Sequence, residues 1–328
     1  MSDIITLYQE LSQAFGVSGR EDAIREVIAA HAGDFIDDIT TDTLGNLICH
    51  KKGNGKKILF SAHMDTIGVV ATCIDEKGFI RFAPVGGLEP LDFLHKQVEF
   101  SNNVRGIISY EEKIPLKDIT FSQTFIDVGA DASQKVQPGE FAIFRAPSFE
   151  QDGILCGAYI DNRIGCAVLL RVMEELTTTE NDLYFVFTVQ EEVGLRGAGA
   201  AAFSIAPDIA VVVDVTDTGD LPEQKNHMSI KMGKGAAIKV MDRSVICSPA
   251  VRDKLEKAAV SCGVEVQREI APVGGTDTAA IQKTRAGILT GAVSIPTRYI
   301  HTCAEMCALS DVKDAVKLLT AFSRLAFQ

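Results

Sequence analysis

The sequence predicts an α/β protein built around an open parallel β-sheet. Residues 183–189 form a continuous apolar run, which is typical of a strand buried on both faces at the centre of such a sheet. Further short apolar runs occur at residues 57–62, 209–213 and 292–295. A helical pattern at residues 164–176 precedes the run at 183–189, and this β-α-β alternation indicates parallel strands with helices on both faces.

The N-terminal part of the chain predicts two helices and a hairpin. Apolar side chains recur at helical spacing over residues 4–15. Ser18 and Glu21 have the spacing of a capping box, which predicts a second helix over residues 21–31. Residues 38–49, interrupted by a glycine-containing turn, predict a β-hairpin ahead of the first central strand.

A β-rich insertion follows that strand. Its short alternating segments are separated by glycine and polar turns, as in a small β unit with few helices; they lie at residues 79–82, 98–100, 106–110 and 141–144. Because this pattern of short alternating segments ends before Asp161, the main domain is predicted to be discontinuous. We expect a catalytic domain made of residues 1–67 and 154–328, and an inserted domain made of residues 68–153.

The C-terminal part returns to alternating helices and strands. An amphipathic pattern predicts a helix over residues 250–262, followed by a strand near residues 264–270. A tight glycine-rich loop at residues 274–277 precedes another helical segment. Residues 310–327 predict a closing helix.

Composition excludes several classes of function. At 328 residues the chain exceeds the usual size of one core, so two domains are expected. The formal net charge of −12 disfavours a broad surface for nucleic acid or anionic membranes. The chain has no basic N-terminal region with an apolar core and no run near the roughly 18 apolar residues of a membrane span, so a cytoplasmic location is expected.

Some histidines and cysteines are predicted to have no functional role. His50 and His227 are expected to be solvated side chains, His50 because no nearby residue offers a partner. The eight cysteines include no CxxC pair and lie mostly in apolar surroundings, which predicts reduced core thiols. Cys303 and Cys307 have the spacing of a helical pair, and we expect them to pack beside a functional loop.

Residues of types that can bind metal ions follow the predicted strands. Glu192 follows residues 183–189, and His63 and Asp214 follow two other strands. His301 lies shortly after the last one, whereas Asp161 opens a helix. Because the carboxyl ends of parallel strands meet at one sheet edge, these side chains are expected to converge there.

Five such ligands exceed the three or four that bind a single catalytic zinc ion, so they fit two divalent ions bridged by a carboxylate. Zinc, cobalt or manganese is compatible with imidazole and carboxylate ligands. Three carboxylates leave the two ions with a residual positive charge, which lowers the pKa of a bridging water. Glu191 is placed to act as the general base, and Asp65 is placed to hold the other nitrogen of the His63 imidazole.

Six motifs carry a resemblance to a known family, and they lie in residues 61–68 (SAHMDTIG), 161–167 (DNRIGCA), 190–198 (QEEVGLRGA), 213–216 (VDVT), 274–277 (GGTD) and 294–301 (SIPTRYIH). In order and spacing the chain resembles the M42 metallo-aminopeptidases, the glutamyl and tetrahedral aminopeptidase type, some of which are labelled cellulase M or endoglucanase. The resemblance implies a phosphorylase/hydrolase-like α/β catalytic domain and a PDZ-like β insertion used for dimerisation and assembly. It also implies two divalent ions per subunit, cleavage of N-terminal residues from short peptides, and a tetrahedral homododecamer built from dimers.

The resemblance also implies how the ligands divide. Asp161 would bridge the two ions, His63 and Asp214 would complete one site, and Glu192 and His301 the other. Glu191 would be the catalytic base, and Asp65 the residue that orients the imidazole.

The chain departs from the family pattern in two places. Residues 302–305 stand where the family usually has serine and proline after the histidine, which brings Cys303 close to the expected metals. Residues 109–113 replace a stretch of the insertion that commonly contains proline and histidine.

The preferred interpretation is a cytoplasmic two-metal aminopeptidase in which a metal-bound hydroxide attacks the peptide. A glycoside hydrolase remains an alternative because carboxylate pairs also hydrolyse sugars. An N-acyl deacylase on the same ligands and a non-catalytic, metal-stabilised peptide-binding scaffold are further alternatives. No serine elbow or P-loop motif occurs, and no residue indicates which N-terminal side chain is preferred.

Overall fold

A computed structural model of the chain describes residues 4–129, 131–223 and 228–327. Within them, the chain forms a large mixed β-sheet with helices on both faces and a separate closed β-barrel. The predicted α/β fold with a β-rich unit is confirmed, while the narrower names phosphorylase/hydrolase-like and PDZ-like stay predictions. Among the described helices, none is long and apolar enough to cross a bilayer.

Two helices open the described chain, a long series of strands follows, and α-helices are interspersed among strands from residue 160 onward. The α-helices are α1 (Ile4–Gln13), α2 (Asp22–Ala32), α3 (Ile160–Glu175), α4 (Arg196–Ile205), α5 (Pro249–Cys262), α6 (Thr278–Gln282) and α7 (Leu309–Ser323), and short 3-10 helices occur at Pro90–Phe93, Leu116–Asp118, Phe121–Gln123 and Ala132–Gln134. The strands are β1 (Asp38–Thr41), β2 (Leu47–Lys51), β3 (Lys57–His63), β4 (Gly68–Ile74), β5 (Ile80–Val85), β6 (Gln97–Phe100), β7 (Arg105–Tyr110), β8 (Thr124–Asp127), β9 (Phe141–Arg145), β10 (Phe149–Gln151), β11 (Ile154–Gly157), β12 (Asp182–Thr188), β13 (Ile209–Asp217), β14 (Ala237–Met241), β15 (Gln267–Ile270), β16 (Leu289–Arg298) and β17 (Glu305–Ala308).

Four parallel strands, β12, β3, β13 and β16, form the centre of the large sheet. Its order over the described residues is β1-β2-β12-β3-β13-β16-β17-β11-β10, and β14 and β15 branch from β16. His63 ends β3 opposite Thr188 of β12, and Asp214 in β13 lies opposite Ser294 of β16. The carboxyl ends of these strands therefore bring chemically active residues to one edge.

Both faces of the central strands are buried, as the continuous apolar runs predict. Along β13, Val211 and Val213 belong to the core cluster that contains residues of α1, α2, α3, α5 and α7. Ala210 and Val212 belong to a second cluster that contains residues of α4 and α6. Because successive side chains of a strand point to opposite faces, this assignment places helices on both sides of the sheet.

The inserted unit is a closed barrel of six antiparallel strands, in the order β4-β5-β8-β7-β6-β9 among the described residues. Strand β10, which the predicted boundary at residue 153 assigns to the insertion, pairs with β11 in the large sheet. The barrel has its own apolar core, which includes Phe93, Phe100 and Phe144. Tyr159 also belongs to this core, so the barrel packs against the chain segment that begins α3.

The predicted capping box is wrong. Helix α2 begins at Asp22 without a side-chain cap. The Ser18 hydroxyl instead donates to Asp65 Oδ2 at 2.6 Å, and Glu21 Oε1 accepts from the backbone N–H of Gly19 at 2.6 Å and of Gln190 at 3.2 Å. These two side chains therefore connect the loop before α2 to the loops that follow β3 and β12.

The prediction that His50 lacks a partner is also wrong. His50 Nε2 lies 2.7 Å from Asp182 Oδ1, and its ring stacks on Tyr184 with the ring centroids 4.1 Å apart. Both partners are on the neighbouring strand β12, distant in sequence and adjacent in the sheet. His227 lies outside the described residues.

The expected free thiols are present, but Cys303 and Cys307 do not form a helical pair. All eight cysteines are unpaired, and six of them are buried. Cys307 lies in strand β17 and packs in the core of the large sheet, whereas Cys303 packs in the barrel core. Cys303 lies in the turn before β17, so no helix connects the two residues, and their thiols pack in different cores.

Candidate metal centre

The structure brings all five predicted ligands to one cavity. Asp214 is part of β13, His63 ends β3, and Glu192 follows β12. His301 lies in the turn after β16, and Asp161 lies in the first turn of α3. Four strands and one helix start therefore supply the cluster.

The two carboxylate oxygens of Asp161 face different histidines. Oδ1 lies 3.0 Å from His63 Nε2, and Oδ2 lies 3.4 Å from His301 Nε2. On the first side Asp214 Oδ1 is 3.6 Å from His63 Nε2, and on the second Glu192 Oε2 is 3.0 Å from His301 Nε2. This arrangement suits a carboxylate that bridges two cations, each with one more carboxylate and one imidazole.

The spacing of the donor atoms fits divalent ions. Ligands about 2.1 Å from a tetrahedral zinc ion lie about 3.4 Å from one another, close to the separations in this cluster. One ligand atom from each of His63, Asp161 and Glu192 lies within 4.8 Å of the others. Among the described residues, the buried Glu192 Oε1 has no hydrogen-bond partner, which leaves it available as a ligand.

The charges of the cluster also favour cations. Burial lowers the pKa of His301, but Glu192 and Asp161 act more strongly and raise it to about 12. Burial likewise lowers the pKa of His63, but Glu191 and the other nearby carboxylates raise it above its usual value. Burial raises the pKa of Glu192 because water no longer stabilises its charge. Carboxylates outnumber imidazoles here, and cations would relieve their mutual repulsion.

The family of the chain follows from comparison with known proteins. The model of the family described as M42 glutamyl aminopeptidase matches residues 45–318. This chain belongs to the M42 peptidase family.

Relatives and solved structures match nearly the whole chain and agree with this assignment. A candidate aminopeptidase of Acetivibrio thermocellus is 49% identical to it over 97% of each sequence. An aminopeptidase from the archaeon Desulfurococcus kamchatkensis has 32% identity and a TM-score of 0.95, covering 98% of this chain and 95% of its own. A peptidase of Pyrococcus horikoshii that can assemble into a tetrahedron or a large octahedral shell has 31% identity and a TM-score of 0.89, covering 98% and 99%.

In this M42 protein, Asp65 fixes the backbone of the two adjacent glutamates. Its Oδ1 accepts from the N–H of Glu191 at 3.0 Å, and its Oδ2 accepts from the N–H of Glu192 at 3.2 Å. His63 Nδ1 lies 3.2 Å from the Asp65 carbonyl oxygen and 3.6 Å from its carboxylate. The imidazole therefore lies closer to the Asp65 carbonyl oxygen than to its carboxylate, and the carboxylate holds the loop after β12.

Glu191 lines the same cavity as the five ligands. Burial raises the pKa of its carboxyl well above the usual value, His63 opposes that shift, and Asp214 and Asp277 add to it. The Glu191 carboxyl group lies beside the candidate ligands, and the hydrogen bond from its backbone N–H to Asp65 fixes its position. It is therefore well placed to exchange protons with a water in the cavity.

Sequence analysis missed Glu305. This buried side chain accepts from the backbone N–H of Asp161 with Oε2 at 2.8 Å and from the N–H of His301 with Oε1 at 2.9 Å. It thereby fixes the backbone of two candidate ligands from different elements. The sequence signal for Glu305 was its position four residues after the candidate ligand His301. Its role in fixing both ligand backbones is visible only in the tertiary structure.

We expect Glu305→Ala to weaken the binding of divalent ions by about 10–100-fold, because residues that orient metal ligands have effects of this size. Glu305→Gln should have a smaller effect, since its amide oxygen can still accept one N–H. Competition with a chelating dye measures both affinities. An unchanged affinity in a folded Glu305→Ala protein would show that the ligands hold their positions without it.

The cavity measures about 500 Å³ and extends beyond the ligands to the loop containing Gly274 and Thr276. The barrel also contributes a wall, because a Cβ added to Gly87 would lie 3.1 Å from His301 Nδ1. Cys303, expected beside the metals, is not among the residues that line this cavity. The barrel therefore approaches the site through the loop after β5, which contains Gly87.

Proposed function

We propose that this protein is a metal-dependent aminopeptidase that removes N-terminal residues from short peptides. The observation that carries the proposal is Asp161, whose two oxygens face His63 and His301 beside the carboxyl of Glu191. Membership of the M42 family and the aminopeptidase names of its relatives support the same activity.

In this proposal, five side chains would hold two divalent ions, and Asp161 would contribute to both sets of ligands. His63 and Asp214 would complete one set, and Glu192 and His301 would complete the other. Zinc, cobalt and manganese all suit this mixture of imidazole and carboxylate ligands. Such ions would supply Lewis acidity toward the scissile carbonyl and the attacking water.

Glu191 has the role of general base in this reaction. It takes the proton of the attacking water and delivers it to the nitrogen of the departing amine. Asp65 keeps Glu191 and Glu192 in place by accepting from both backbone N–H groups. The carboxylates around the cavity favour a substrate whose free α-amine is positively charged.

The protein reloaded separately with zinc, cobalt and manganese should hydrolyse aminoacyl anilides, and exhaustive chelation should abolish the activity. N-acetylated versions should not be cleaved, because acetylation removes the charge of the amine. Equal cleavage of acetylated substrates would instead indicate a deacylase, and oligosaccharide cleavage that survives chelation a glycoside hydrolase. Metal binding without turnover of any substrate would indicate a peptide-binding scaffold.

We also propose that residues 68–153 serve in dimerisation and assembly and that twelve subunits form a tetrahedral shell. The related peptidase of Pyrococcus horikoshii, which assembles into a tetrahedron or an octahedral shell, supports this. Light scattering should give a mass of twelve times the 35.3 kDa subunit. A dimer or a monomer at all concentrations would contradict the dodecamer. Peptides as substrates, no nucleic-acid or membrane partner, and a cytoplasmic location complete the proposal.

A further inference from the structure

A buried ion-pair cluster lines the same cavity as the candidate metal ligands. Lys239 on β14 and Glu269 on β15 are direct partners across this parallel strand pair, and both line the cavity. They are almost fully buried, with 3% and 0% of their surfaces exposed. Lys239 Nζ lies 2.7 Å from Glu269 Oε1 and 3.0 Å from Asp242 Oδ2.

The two carboxylates of this cluster differ in how they are used. Asp242 Oδ1 accepts from the backbone N–H groups of Ser244 and Val245 and from the Ser244 hydroxyl, and its Oδ2 accepts from Lys239. Glu269 Oε1 is paired with the Lys239 ammonium at 2.7 Å, whereas Oε2 has no hydrogen-bond partner among the described residues. A buried carboxylate oxygen without a hydrogen bond is costly, so Glu269 Oε2 is available to accept from a ligand.

The sign of the charge indicates what that ligand is. Burial lowers the pKa of Lys239, but Glu269 and Asp242 raise it by more, so the ammonium stays protonated. One cation between two carboxylates leaves the cluster with a net charge of about −1. The described residues lining the cavity include one further charged side chain besides this cluster, the candidate metal ligands and Glu191. It is Asp217, which is also acidic. An acidic side chain would be repelled, whereas an ammonium or guanidinium group would gain a free acceptor.

The walls next to the cluster suit the stem of such a side chain. Met228, Ala271 and Val273 line the same cavity with apolar surface. Lysine and arginine carry their charge at the end of a methylene chain, which packs on apolar walls while the head group reaches a polar partner.

Building on the aminopeptidase function proposed above, we propose that Lys239 and Glu269 form the polar end of the pocket for the first side chain of the substrate. Glu269 then selects peptides that begin with lysine or arginine. A buried acceptor of this kind favours side chains that satisfy it over those that leave it unpaired.

The first test uses the wild-type protein, so it depends on no variant. With zinc, cobalt or manganese restored, kcat/KM is measured for lysyl, arginyl, leucyl and glutamyl anilides. We expect the lysyl and arginyl substrates to exceed the glutamyl one by at least about 10-fold and to exceed the leucyl one as well. A faster leucyl or glutamyl substrate would overturn the inference and leave the aminopeptidase intact. If no anilide were cleaved with any of these metals, the proposed function and this inference would both fail.

The second test assigns the preference to one side chain. Glu269→Gln should lower the ratio of lysyl to leucyl kcat/KM by at least about 10-fold, mainly through a higher KM for the lysyl substrate. Glu265→Gln makes the same chemical change at an exposed position four residues earlier and should leave the ratio unchanged. A loss of folding would slow both substrates alike, so an unchanged ratio in Glu269→Gln would overturn the assignment.

Discussion

Replacing Glu191 with glutamine is expected to lower kcat by about 10²–10⁴-fold while the protein keeps its divalent ions. The amide has nearly the shape of the carboxyl group but cannot take a proton from water. The backbone N–H of residue 191 still donates to Asp65, so the neighbouring ligand Glu192 stays in place. Steady-state kinetics on an aminoacyl anilide and elemental analysis of the same sample measure both quantities.

Glu192→Gln is the matched comparison, because it makes the same change one residue along the chain. This variant should lose metal as well as activity, since Glu192 lies 3.0 Å from His301 and is a proposed ligand. The contrast separates a proton-transfer role from a ligand role at adjacent positions. Near-normal kcat with retained metal in Glu191→Gln would refute the general base.

Asp161→Ala is expected to have the largest effect on metal binding. Both Asp161 oxygens lie within 3.4 Å of an imidazole nitrogen, so the change removes one ligand from each proposed ion. The metal content should fall sharply, and kcat/KM should fall by roughly 10³-fold or more, because a Lewis acid contributes several kcal/mol to such reactions. Elemental analysis after gel filtration and anilide kinetics report the two effects.

The control for Asp161→Ala is Asp253→Ala, which removes a side chain that is 58% exposed on α5. It should leave metal content and kcat/KM unchanged. If Asp161→Ala retained its full complement of ions, a bridging role for Asp161 would be untenable.

The fold was predictable where hydrophobic patterns are strong. The apolar runs at residues 57–62, 209–213 and 292–295 lie in three of the central parallel strands, and the run at 183–189 matches the fourth to within one residue at each end. A strand buried on both faces must be apolar throughout, so its sequence identifies it. The alternating segments after residue 68 likewise lie in a unit rich in short strands. How those strands close into a barrel depends on pairings between distant segments, which the pattern does not contain.

Local motifs failed where a tertiary contact was stronger. Ser18 and Glu21 have capping-box spacing, but Ser18 donates to Asp65 and Glu21 accepts from Gln190. His50 has a partner, Asp182, on the neighbouring strand. In each case a residue remote in sequence supplied the hydrogen bond, so a reading of neighbouring residues could not find it.

The sequence by itself determined which ligand types follow the strands, because each of His63, Glu192 and Asp214 lies at or near the end of a recognisable apolar run. Only the tertiary structure decided that the two oxygens of Asp161 face different histidines and that Glu305 holds two ligand backbones. It alone brought Lys239 and Glu269 together in the same cavity. The hydrophobic pattern of each strand is a local property of its own residues. Strand order and side-chain direction depend on packing between distant segments across the whole sheet.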